Sequence, residues 1–103
     1  MQKSTYHQLS TIQSLLEGQE KYLGRKINWD LLRKYRMLCN RMFAITTNNS
    51  QDPYAEYIFT FNSFAPTDEM IKEIAEDLLG YTGEDDWNYS TLGRTLVIYG
   101  LEY

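Results

Sequence analysis

From Asn28 onward the apolar residues Leu31, Leu32, Tyr35, Leu38, Cys39, Met42 and Phe43 recur at the i, i+3, i+4, i+7 spacing of an amphipathic helix. At about 100° per residue they fall within an arc of roughly 140°. Such a stripe is stable only against a second apolar surface, so the chain must supply a core for it. The start of this helix is well specified. Asn28 is a suitable N-cap, Asp30 meets the positive end of the helix dipole, and Ile27 with Leu32 occupies the positions of a hydrophobic staple. Its end is open, because Met42 to Thr47 suits either more helix or a strand; we expect the helix to end near residue 42 and a strand to cover 43–47.

The second surface comes from Tyr57, Phe59 and Phe61, which alternate with Glu56, Ile58, Thr60 and Asn62 in the period-2 pattern of a half-buried strand. Pro66 and Thr67 then open a helix with the stripe Met70, Ile71, Ile74 and Leu78, and Gly80 stops it. Leu9, Ile12, Leu15 and Leu16 predict a shorter helix over 4–17 ending on Gly18, with 18–27 as a connector. Asn48 to Pro53 is a cluster of turn formers, and Tyr81 to Gly93 reads as a long loop without sustained period. Thr95 to Tyr99 is a compact β run. The expected architecture is one α+β domain over 1–103 in the order α-α-β-β-α-β. It has two N-terminal helices, a sheet of two or three strands, and a crossover helix joining parallel strands.

Size agrees with one core, since 103 residues is an ordinary single-domain length. Nine Tyr, four Phe and two Trp are more aromatics than such a core readily absorbs, so some tyrosines are expected at the surface. The lone Cys39 has no partner for an internal disulfide, and residues 1–17 lack the apolar stretch of a secretory leader. The longest apolar run, Met42 to Ile45, falls far short of the roughly twenty residues of a membrane span. A cytoplasmic location is expected.

The net charge of −4 conceals a split. Residues 1–45 hold eight cations against three carboxylates, a balance of +5, and residues 46–103 hold two against eleven, a balance of −9. Arg33, Lys34, Arg36 and Arg41 lie opposite or at the edge of the apolar arc of the 28–42 helix, with Arg25 and Lys26 before it. A cationic face of this kind suits a phosphate backbone or an acidic protein. The acidic half sets Asp68, Glu69, Glu73, Glu76 and Asp77 on the third helix, and Glu84, Asp85 and Asp86 beside Trp87 and Tyr89. Charge next to burial-capable aromatics is the composition of a protein-binding surface, and carboxylates on a rigid frame imitate the phosphates of a nucleic acid.

Catalytic and metal signatures are absent from the sequence. The run at 84–86 is consecutive where calcium loops alternate their ligands, Cys39 lies on an apolar arc away from His7, and no glycine-rich phosphate loop or nucleophile elbow is present. No cofactor is expected. In general character the chain resembles the small acidic inhibitors that phages, mobile elements and toxin systems encode, a likeness of type that rests on no motif. It implies a counter-defence or immunity role against a nucleic-acid-processing enzyme. The contact residues expected are Glu73, Glu76, Asp77, Glu84, Asp85, Asp86, Trp87 and Tyr89. A nucleic-acid-binding protein using Arg33, Lys34, Arg36 and Arg41 is the alternative, and an assembly subunit whose oppositely charged ends attract is the second.

Overall fold

The computed structural model describes residues 8–46 and 55–101. The order is β1 (Gln8–Thr11), α1 (Ile12–Leu23), α2 (Trp29–Leu38), β2 (Cys39–Thr46), β3 (Glu56–Phe61), α3 (Asp68–Lys72, continued by a π-helical segment Glu73–Leu78), a 3₁₀ turn (Glu84–Asp86), β4 (Trp87–Leu92) and β5 (Thr95–Gly100). The strands form one sheet in the order β1-β2-β3-β5-β4, with every neighbouring pair antiparallel. The α+β class expected from the sequence is therefore present, with five strands in place of two or three. No helix among the described residues is long and apolar enough to cross a membrane.

Alternation along the strands decides which face is covered. Tyr57, Phe59 and Phe61 on β3, Leu96 and Ile98 on β5, and Ala44 on β2 are buried and share one cluster with Ile12, Leu15 and Leu16 of α1, Leu31, Leu32 and Tyr35 of α2, and Ile71, Ile74 and Leu78 of the third helix. Register carries the layer across the sheet, pairing Ala44 with Tyr57, Tyr57 with Ile98 and Phe59 with Leu96. All three helices thus pack on one face. Each fully buried Leu, Ile or Phe stabilises this layer by about 1.5–3 kcal/mol. The opposite face carries Phe43, Ile45, Ile58, Val97 and Tyr99, all half-buried.

Several expectations are corrected. Gln8–Thr11 is a strand paired with β2, and the first helix begins only at Ile12, where Thr11 caps it by accepting from Ser14 N at 3.0 Å. That helix runs through Gly18 to Leu23, and the left-handed stop is Gly24, at φ 69°. Residues 4–7 of the expected helix and the turn cluster 48–53 lie outside the described residues. The second helix starts as expected, with Asn28 accepting from Leu31 N, but it ends at Leu38. Cys39 has an extended backbone and pairs with Phe61, and a bulge between Cys39 and Arg41 lets the strand keep Cys39 buried. The final strand pairs antiparallel to β3, not parallel to it. Because β5 is antiparallel to both neighbours, β3 and β4 share a direction with β5 inserted between them. The third helix therefore crosses from β3 to β4, a strand within the stretch expected to be a loop.

Candidate protein-binding edge

The site is built on the third helix and on β4, which lie beside each other at one end of the sheet. Thr67 starts the helix, its hydroxyl accepting from Met70 N at 3.2 Å, and Asp68 and Glu69 occupy the dipole-favoured first turn. From Glu73 the helix widens into π geometry, with Leu79 N bonded to Ile74 O at 2.8 Å. The wider turn changes where the carboxylates point. Glu73 is directed at α2, where it accepts from Tyr35 Oη at 2.5 Å and from Lys34 Nζ at 2.9 Å. The Tyr35 hydrogen bond, followed by the Lys34 ammonium, holds the Glu73 carboxyl below the usual carboxylate range. Burial first, and then that same bond, push the Tyr35 hydroxyl far up. Both shifts favour one state, a neutral phenol donating to a carboxylate.

Glu76 is half-buried, and its Oε2 accepts from Trp87 Nε1 at 3.4 Å. Trp87, expected as a contact residue, is 8% exposed and pins the start of β4 beneath the helix. Tyr89, two residues on and therefore on the same face, is 41% exposed, its ring centroid 6.0 Å from that of Trp87. Asp77, Glu84 and Asp85 are exposed. Asp86 is half-buried and structural: its N–H donates to Gly83 O at 3.0 Å, its carbonyl accepts from Leu101 N at 2.9 Å, and its carboxylate accepts from the Thr82 hydroxyl. Between helix and strand lies a cleft of about 300 Å³, lined by Asp68, Ile71, Lys72, Glu84, Trp87, Asn88 and Tyr89. Lys72 Nζ stands 3.9 Å from Glu84 across its mouth, with both side chains largely in solvent.

Of the expected acidic contact set, the structure thus brings Glu84, Trp87 and Tyr89 to one cleft, keeps Asp77 and Asp85 outward, and commits Glu73, Glu76 and much of Asp86 to internal bonds. Lys72 and Asn88 are cleft residues that the sequence pattern does not single out. Asn88 lies on a strand with no alternation, and Lys72 is an isolated cation among acids. Among the described residues no group of histidine, cysteine and carboxylate side chains is arranged to hold a metal ion.

The four cations of the alternative site fall on two elements, α2 and β2. Arg33 pairs with Asp30 on its own helix at 3.0 Å, Lys34 is engaged by Glu73, and Arg36 donates to Gln13 Oε1 at 3.0 Å. Arg41 is not helical at all but lies on β2, where the helix was expected to continue. Arg25 turns inward, donating to Leu78 O at 2.7 Å and to the buried Gln19. No family model matches this chain, and no curated protein or solved structure matches it significantly.

Proposed function

We propose that this chain is a non-enzymatic binding module that engages a basic surface on another protein, in the manner of a small acidic inhibitor or immunity protein of a phage or mobile element, with a nucleic-acid-processing enzyme as the class of target. The observation that carries the reading is the α3–β4 cleft, which joins exposed carboxylates to an aromatic wall: Asp68 and Glu84 on its rim, Trp87 and Tyr89 along its side. Rim carboxylates steer and orient a cationic partner, and a half-exposed aromatic beside them supplies the desolvated contact that charge alone lacks. The exposed Asp77 and Asp85 extend the same field.

The test is affinity capture with the wild-type chain and with a double variant, Glu84→Lys and Asp85→Lys, whose fold is checked by circular dichroism. The wild type retains a basic protein from host extract and the folded variant loses it. Equal retention by both overturns the reading.

A further inference from the structure

We propose that β4 is a strand-addition site, at which an extended basic segment of the partner pairs main chain to main chain with Trp87–Leu92 and seats a lysine or arginine side chain in the α3–β4 cleft. This rests on the binding reading above and specifies its mode.

β4 closes the strand order, and among the described residues only β5 pairs with it. Edge strands ordinarily carry a guard against such pairing, such as a lysine, a proline, a bulge or extreme shortness. β4 is six residues long, Trp-Asn-Tyr-Ser-Thr-Leu, with no charge and no proline. Its register with β5 is uninterrupted from Trp87 to Leu92, so no bulge twists it away. Every residue after Trp87 is exposed. A β-prone, uncharged, regular edge is a template for a further strand, and strand addition draws its affinity from main-chain bonds and its specificity from pockets for alternate side chains.

Those pockets specify the occupant. The side chains of Trp87, Tyr89 and Thr91 share one face of the strand, with Trp87 and Tyr89 lining the cleft, whereas those of Asn88, Ser90 and Leu92 share the other, Asn88 also bordering the cleft. On the cleft side the carboxylates of Asp68 and Glu84 stand beside the two aromatic rings, a setting complementary to an ammonium or guanidinium group. The cation already present, Lys72, is held only by a long and exposed pair with Glu84, so an incoming side chain displaces little. On the other face Leu92 is 85% exposed and offers an apolar seat at the far end of the strand. An antiparallel segment meets Leu92 first and Trp87 last. Counting opposite residues gives an apolar side chain at the first position and basic side chains at the fourth and sixth, opposite Leu92, Tyr89 and Trp87.

The probe is the capped peptide Ile-Thr-Val-Lys-Thr-Arg, titrated into the full ¹⁵N-labelled chain and followed by amide shifts and hydrogen exchange. Two further peptides carry N-methyl groups on alternate amides, one on the odd and one on the even positions, which keeps charge and side chains but removes donors from one edge at a time. The expected result is that the parent peptide shifts the β4 amides and slows exchange at alternate ones. One methylated peptide then weakens about tenfold or more, through two or three lost main-chain bonds, while the other binds nearly as the parent. Equal binding of all three overturns strand addition and leaves the acidic-surface reading standing. Equal binding of a version with Gln in place of Lys and Arg overturns the basic occupant and the binding reading with it. Slowed exchange of β4 amides without peptide, in a chain that sediments as a dimer, assigns the edge to a second copy and also overturns the proposal.

Discussion

Glu73 is the residue at which the two charge populations meet inside the molecule. Its carboxylate receives Tyr35 and Lys34 from α2 and so ties the second helix to the third. Because its folded-state pKa lies below the unfolded value, the stabilisation is fully present above the ordinary glutamate pKa of about 4.5 and is lost as pH falls through the depressed folded value. Glu73→Gln removes that dependence while keeping an acceptor for the phenol. The expected outcome is a variant with a lower melting temperature than wild type at neutral pH and a gap that narrows as pH falls below the ordinary glutamate value and closes once the wild-type carboxyl is protonated. Thermal unfolding at several pH values checks this, and a gap constant with pH refutes the assignment. Side-chain exposure of 34% at Glu73 keeps the effect modest, since solvent screens the pair.

At the scale of elements, the end of the third helix depends on the segment between the first two. Arg25 donates to the Leu78 carbonyl, one of the acceptors that a helix leaves without an internal partner, and Gln19 holds the guanidinium in place while donating to Tyr57 Oη at 3.3 Å. Gly80 permits this twice. Its φ of 85° is strained for any other residue, and a β-carbon there would stand 2.5 Å from Arg25 Cζ. Gly80→Ala is therefore expected to destabilise by about 1–3 kcal/mol. Part of that loss is steric, so the substitution is less harmful in an Arg25→Ala background; strict additivity in urea unfolding of the double-mutant cycle would contradict the clamp. Little of this was legible beforehand. Asn28, Thr67, Gly80 and the β3 alternation were readable because cap chemistry and period 2 are local. β4 was not, since an edge strand exposed on both faces has no alternation to display and only Trp87 is buried. Nor was the aim of Glu73 and Glu76, because the π-helical segment departs from the 3.6-residue winding that places side chains on faces. The helix-to-strand change at Cys39 was hidden because Leu38, Cys39, Met42 and Phe43 continue the helical spacing by coincidence, and only pairing with β1 and β3 decides it. Of the candidate site, the acidic turn and the aromatics were visible, whereas the cleft between helix and strand was not.

For the whole molecule the question is whether the +5 and −9 halves of the sequence hold each other or address a partner. The Lys34–Glu73 pair, at 2.9 Å, joins the two halves. Arg33–Asp30 lies within α2, and Lys72–Glu84 lies within the acidic half. Exposed pairs contribute about 0–1 kcal/mol each, so the fold rests on its apolar layer and not on attraction between the halves. At the α3–β4 end Asp68, Asp77, Glu84 and Asp85 remain exposed. Two observables then respond differently to salt. Raising sodium chloride from about 0.02 M to about 0.5 M shortens the Debye length from roughly 20 Å to about 4 Å, which erases long-range fields while leaving burial intact. The unfolding midpoint is expected to move little, and affinity for the basic peptide to fall steeply, mainly through slower association. Parallel losses in stability and affinity would show instead that the two charged halves support each other within the fold, and the cleft would then owe its carboxylates to folding.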